Sequence, residues 1–157
     1  MEDSIIVFIA TYALALPILF VAFTILRRQQ WLYDIVEAIA GGVAVLALGK
    51  LAGSLIHSQR PFVILHIQPL IPHVADNSFP SDHLAATGLA VMYLLPRSRP
   101  LAIAGIIVAI LLGTARIQAH LHWPIDVITG FAIGIIGMFV SHLVVRAFFP
   151  HLGSHQV

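Results

Sequence analysis

Long apolar runs separated by short polar breaks dominate the chain, and their lengths are those of membrane crossings. A helix needs about 20 mostly apolar residues, rising about 1.5 Å each, to cross the hydrocarbon core of a bilayer. Residues 4–26 satisfy this and stop at Arg27-Arg28. The run lacks the charged leader and small-residue cleavage site of a signal peptide, so it predicts a retained first span. A second span is predicted over 35–56, across Lys50, followed by a loop over 57–80 punctuated by Pro61, Pro69, Pro72 and Pro80. The third span, 81–95, is short for a full crossing. It is expected either to start below the membrane surface or to be sheltered by neighbouring helices. The turn Pro96-Arg97-Ser98-Arg99-Pro100 leads into a fourth span over 101–117, and residues 120–124 form another short connection. Pro124 suits the first turn of a fifth span ending near Phe149, because proline there loses no helical hydrogen bond. The tail after Pro150 is polar and expected to be mobile. With no internal repeat, 1–157 reads as a single membrane-embedded domain.

Composition narrows the class further. Of 157 residues, 59% are hydrophobic and 10% charged, whereas a soluble domain carries roughly a quarter charged residues. Disorder, coiled coil and nucleic-acid binding are excluded, because each needs many more charges. Nine prolines and eleven glycines fit helices in a bilayer, which tolerate both. The absence of cysteine removes disulfides, thiolate metal sites and iron–sulfur clusters. The expected fold class is an all-α integral membrane protein built as a bundle of about five transmembrane helices.

The few charges orient it. Five crossings place Arg27-Arg28, the Arg97/Arg99 turn and the end carrying Arg146 on one side. Glu2-Asp3, the 57–80 loop and the 120–124 turn fall on the other. The positive-inside rule assigns the arginine-bearing ends to the cytoplasm and the long loop to the outside.

Ionisable residues in or beside membrane spans are costly and mark candidate functional sites. Three groups qualify: Arg60-Pro61, Pro80-Ser81-Asp82-His83, and Arg116 through His122 to Asp126. Alternating crossings bring all three to the outer face. Their chemistry suits a phosphate. Two arginines offer permanently charged donor forks, and Ser81 stands where a helix N-terminus presents its hydroxyl and free N–H groups. Two histidines supply a nucleophile and a proton donor. Asp126, four residues after His122, is placed to hold one imidazole nitrogen protonated. Taken singly, each feature has a plainer reading: Ser81 as a helix cap, Arg60 as a snorkelling side chain, each histidine as a satisfied polar group.

These blocks resemble the signature of the type 2 phosphatidic acid phosphatase superfamily. Arg60-Pro61 matches the end of its first block. Pro80-Ser81-Asp82-His83 matches Pro-Ser-Gly-His, with Asp82 in the glycine place. Arg116, His122 and Asp126 match the third block at its spacing, with Ala115 replacing serine. The resemblance runs from about Ile5 to Phe148. It implies that His122 is a nucleophile forming a phosphohistidine, that Asp126 orients it, and that His83 protonates the leaving oxygen and then activates water. It implies that Arg60, Arg116 and Ser81 cradle the phosphate, with no metal and no cofactor. The family lysine falls at Gly53; Lys50, almost one turn deeper, is the nearest substitute as a phosphate ligand. Asp82 is expected to point away from the phosphate and cap the helix.

The stretch 70–83 is similar to the bacitracin-resistance type of undecaprenyl-diphosphate phosphatase, a subgroup that also carries Asp in its second block. This implies hydrolysis of a polyprenyl diphosphate lipid, undecaprenyl diphosphate, to the monophosphate at the outer face of a bacterial cytoplasmic (inner) membrane, which recycles the cell-wall lipid carrier. His73 and Asp76 become headgroup candidates, with loop hydrogen bonding as their plainer reading. Members of this type often carry a further segment before the first span; this chain is expected to have five helices rather than six. Two other readings stand beside this one. The same chemistry on phosphatidylglycerol phosphate, phosphatidic acid or lipid A is not separated from it by periodicity. A histidine-rich metal-binding protein or transporter using His120 and His122 is disfavoured by two arginines and no carboxylate-rich cage.

Overall fold

A computed structural model of the protein describes residues 2–150; the polar tail beyond lies outside the described residues. Among these residues every regular element is helical, and a lone antiparallel bridge joins Gln59 to Asn77. The helices are α1 (Glu2–Tyr12), α2 (Ala15–Leu26), α3 (Trp31–Leu55), α4 (Pro61–Ile64), α5 (Asp82–Leu94), α6 (Arg99–Gln118) and α7 (Pro124–Phe148). Four stretches are long and apolar enough to cross a bilayer: 3–26, 31–55, 99–118 and 124–148. Exposed Phe8, Leu19, Ile39, Leu46, Ile110 and Ile128 give their outer faces a lipid-compatible surface. The chain is thus a multi-pass membrane protein.

The first span is broken between α1 and α2. Pro17 has no N–H to offer, and its ring crowds the carbonyl of Ala13 four residues earlier, so the helix yields at Ala13-Leu14. The short third segment is sheltered rather than sunk. At 13 residues α5 is about 20 Å long, and it stands in the middle of the bundle, packed on α2, α3, α6 and α7.

The contact between α5 and α7 is made backbone to backbone. A Cβ on Gly88 would overlap the Phe131 carbonyl, one on Gly130 the Ser81 carbonyl, and one on Gly134 the Ala85 carbonyl. Gly130 and Gly134 are one turn apart on α7, the small-residue spacing that lets membrane helices approach closely. The approach is tight enough for the Ser81 N–H to donate to the Asp126 carbonyl at 3.0 Å, tying the starts of the two helices together.

The other end of the bundle holds an unforeseen charge cluster. The second span begins at Trp31, four residues before the expected 35, and its first turns bury Asp34 and Glu37 completely. Arg97 donates through Nε to Asp34 at 3.0 Å and through Nη1 to the Tyr93 carbonyl at 2.9 Å, and it is paired with Glu37. Arg28 meets the second oxygen of Asp34 at 2.7 Å. Two arginines expected to mark the membrane surface are therefore matched by buried acids. Arg27, Arg99 and Arg146 make no ion pair among the described residues.

The close helix contact sets a stability test. Gly134→Ala must push α7 off α5 and is expected to cost about 1–3 kcal/mol, seen as a lower thermal midpoint in detergent. Gly42→Ala, whose added methyl meets nothing within 4 Å, is expected to leave the midpoint unchanged or slightly raised. Equal effects at the two positions would refute the account of the crossing.

Candidate active site

Three segments meet at the end of the bundle opposite the charge cluster: the loop between α3 and α5, the start of α5, and the connection from α6 to α7. Arg60 stands in extended conformation ahead of α4, with Pro61 at the first helical position. It is buried, and its guanidinium is fully engaged: Nη1 donates to the Leu121 carbonyl at 2.9 Å, Nε to Asp76 at 2.7 Å, and Nη2 to the Asn77 carbonyl at 3.5 Å. Arg116, in the last turn of α6, is equally buried. Its Nη1 reaches the Ala10 carbonyl at 3.4 Å, just before the break in the first span. Its Nη2 lies 3.2 Å from His122 Nε2, while Nε has no hydrogen-bond partner among the described residues.

The partners of His122 decide its tautomer. A guanidinium only donates, so Nε2 must accept from Arg116. A carbonyl only accepts, so Nδ1, 2.9 Å from the Ser78 carbonyl, must carry the proton. The buried ring therefore carries its lone pair at Nε2, on the side of Arg116. Asp126 plays a different part from the one expected. Its Oδ2 is 3.7 Å from Nδ1, beyond a hydrogen bond, and instead accepts the Trp123 N–H at 2.8 Å, closing the first turn of α7. Asp126 thus supports the imidazole through its field and through the helix start, and the direct hold on Nδ1 belongs to Ser78.

Ser81 is the residue ahead of α5, but its side chain makes no cap bond; Oγ is buried with no hydrogen-bond partner among the described residues. His83, half-buried in the first turn of α5, lies within electrostatic range of Arg116, His122 and His73. Asp82, the first residue of α5, lines a groove between α3 and α5 that it shares with Lys50, and it stays within electrostatic range of Arg116. Lys50 is therefore placed along the groove rather than among the arginines. At position 53 a Cβ would come 3.0 Å from the Phe79 carbonyl, so a lysine there would require that carbonyl to shift slightly.

His73 and Asp76 sit on the loop above the arginines. Partial burial, then the charges of Arg60 and Arg116, hold the His73 imidazole below its usual range. The hydrogen bond from Arg60 holds the Asp76 carboxyl below the ordinary carboxylate range, although its side chain is 60% exposed. Asn77 was not singled out by sequence. Its amide bonds the Gly53 and Ile56 carbonyls at 2.9 and 3.1 Å, and its oxygen accepts from the Ser58 and Phe79 N–H groups. It locks the loop onto the end of α3. Among the described residues no three His, Asp or Glu side chains gather as a metal site.

The PAP2 superfamily profile matches residues 35–150, which contain all three blocks. The chain is similar to undecaprenyl-diphosphatase BcrC of Bacillus subtilis (strain 168), with 34% identity over 135 residues that cover 85% of this chain and 70% of the relative. Its fold is similar to the crystal structure of Aquifex aeolicus LpxE, with TM-score 0.68 and 25% identity over 90% of this chain and 86% of the other. A PAP2-type phosphatidylglycerolphosphate phosphatase from Bacillus subtilis shares the fold at TM-score 0.69 and 20% identity, over 94% of this chain and 78% of the other.

The Arg60–Asp76 pair predicts a pH effect. A carboxyl whose folded pKa is depressed stabilises the fold above its unfolded pKa, and that stability is lost as pH falls through the folded value. The thermal midpoint of Asp76→Asn is expected to fall less than that of the parent protein on acidification from about pH 6 to about pH 3. Parallel pH profiles for the two proteins would remove Asp76 as the loop's electrostatic anchor.

Proposed function

The chain belongs to the PAP2 superfamily, and from that premise we propose that this lipid phosphatase hydrolyses undecaprenyl diphosphate to undecaprenyl phosphate through a phosphohistidine on His122. One observation carries the reading: a buried imidazole whose Nε2 lone pair faces the buried Arg116, with Nδ1–H committed to a carbonyl. This is the protonation state a nitrogen nucleophile requires, placed where guanidinium groups neutralise a phosphoryl group.

In the proposed reaction Nε2 attacks the terminal phosphorus, and the bond from phosphorus to the bridging oxygen breaks. His83 gives its proton to that oxygen, which leaves with undecaprenyl phosphate. His83 then takes a proton from water; the hydroxide attacks phosphorus, the N–P bond breaks, and inorganic phosphate departs with Nε2 restored. Arg60, Arg116 and Ser81 Oγ hold the phosphoryl oxygens, with Arg116 Nε and Ser81 Oγ as contacts that the protein leaves unused. The Ser78 carbonyl retains the Nδ1 proton throughout, and Asp126, 3.7 Å away, offsets the positive charge of the phosphorylated ring. The groove of Lys50 and Asp82 runs between α3 and α5 beside the start of α5. We place the site at the outer face of a bacterial cytoplasmic membrane, because Arg27, Arg99 and Arg146 stand unmatched at the opposite end. The whole chain acts as one unit in this scheme.

His122→Ala is expected to lower phosphate release from undecaprenyl diphosphate by about 10⁴-fold or more, with the helical circular dichroism and elution volume in detergent unchanged. Turnover retained in that variant would end the nucleophile assignment. Purified protein should prefer undecaprenyl diphosphate over phosphatidylglycerol phosphate and phosphatidic acid in a side-by-side assay, and should remain active in excess EDTA. A reversed preference would keep the chemistry and change the substrate; strict dependence on added metal would overturn the mechanism.

A further inference from the structure

The end of the bundle away from His122 holds a cavity of about 500 Å³ that the reaction does not use. It lies between the last turn of α5, the Pro96–Arg99 turn and the C-terminal half of α7, with Glu37 of α3 at its wall. His142 is sixteen residues from Asp126 on the same helix, or roughly 24 Å at 1.5 Å per residue, so the two sites face opposite leaflets. One side of the cavity is apolar, formed by Leu95, Met138 and Phe139; the other presents Arg97, Arg99 and His142. A part-apolar cavity with a few convergent polar groups is the usual form of a small-molecule site.

The charges around it can be followed atom by atom. Asp34 spends its two oxygens on Arg28 and Arg97. Glu37 spends its two on Arg97 and on His142 Nδ1, the latter at 2.6 Å. All the Arg97 bonds go to Asp34, Glu37 and the Tyr93 carbonyl, so this guanidinium is closed to a ligand. Asp34 and Glu37 are thereby balanced by Arg28 and Arg97. Arg99 is left over: it lines the cavity, is exposed, and makes no ion pair among the described residues. Because His142 Nδ1 is committed to Glu37, Nε2 is the ring nitrogen left to the cavity. The free equipment is one unmatched guanidinium, one ring nitrogen and an apolar wall. That set excludes a cation, which Arg99 repels, and suits a compact anion attached to an alkyl chain.

We propose that this cavity is a second phosphate site on the leaflet opposite His122, in which Arg99 donates to the oxygens of a phosphomonoester monoanion and the P–OH of that anion donates to His142 Nε2. The anion is either the head of a lipid whose chain lies on Leu95, Met138 and Phe139, or free phosphate. No group of the reaction contributes to it, so it stands whether or not undecaprenyl diphosphate is the substrate.

The test uses the full-length His122→Ala protein in phosphatidylcholine nanodiscs, so that turnover does not consume the probe. A phosphatidic acid carrying a photoreactive diazirine in its acyl chain is irradiated and the adducts are mapped by peptide mass spectrometry. Adducts are expected within 92–95 and 138–142, and dioctanoyl phosphatidic acid should compete them away. Protection by dioctanoyl phosphatidic acid but not by inorganic phosphate supports a lipid ligand, whereas protection by both supports a site for the anion itself. Arg99→Glu should reduce these adducts by about tenfold and Arg99→Lys should retain them, while adducts at the His122 end stay constant as a check on folding. Equal labelling by a phosphatidylcholine probe, or no response to Arg99→Glu, would overturn the second site.

Discussion

The architecture depends on one contact: the meeting of α5 and α7 at three glycines, where backbone lies against backbone. Gly88, Gly130 and Gly134 let two backbones lie closer than any Cβ permits. Membrane helices gain little from burying apolar surface against each other, since lipid is equally apolar, so close packing must supply the association. Here it also supplies the site. The contact ends where Ser81 donates to Asp126, and from that junction Ser78, Ser81 and His83 approach from one chain segment while His122 and Asp126 approach from another. The precision of a site assembled from distant parts of the chain is inherited from three missing methyl groups.

Charge is confined to the two ends of the bundle and handled differently at each. At the arginine-rich end, acids and bases are matched: Asp34 and Glu37 would be very costly alone, and they are tolerable because Arg28, Arg97 and His142 complete their hydrogen bonds. At the His122 end Arg60 is paired with Asp76, while Arg116 makes no ion pair among the described residues and has only one acid, Asp82, within electrostatic range. The unpaired guanidinium faces the lone pair of one imidazole. A surplus of buried charge is tolerated where an anion is to arrive and nowhere else in the bundle.

What was legible in the sequence divides along physical lines. Spans were readable because hydropathy depends on each residue by itself, and the position of Pro124 at a helix start followed from the same local logic. The three blocks carrying Arg60, Ser81, Arg116 and His122 converge because their residue types and spacings are constrained together. Features that depend on partners far away were not readable. The second span starts at Trp31 because Asp34 and Glu37 find arginines and a histidine on other helices, which no local window contains. Asp126 was expected to hold His122, but that hold comes from the Ser78 carbonyl, and a backbone oxygen leaves no mark in residue type. The break at Ala13-Leu14 had a signal in Pro17, lost within a run judged by hydropathy alone. The tight fit of Gly53 against the Phe79 carbonyl was likewise unreadable, because it depends on a loop that folds back from more than twenty residues away.

The resting state of Arg60 bears on how long a product stays. Each nitrogen of this guanidinium already donates once, the Nε edge to Asp76 on a loop whose carboxylate is largely in water. In the proposed reaction a phosphate oxygen that took Nε would take it from Asp76, so binding at this edge would be an exchange of one anion for another, and only the difference between the two would contribute to affinity. The same exchange would run in reverse after hydrolysis, the tethered carboxylate competing with inorganic phosphate at high effective concentration. Under that proposal the site carries its own displacing anion.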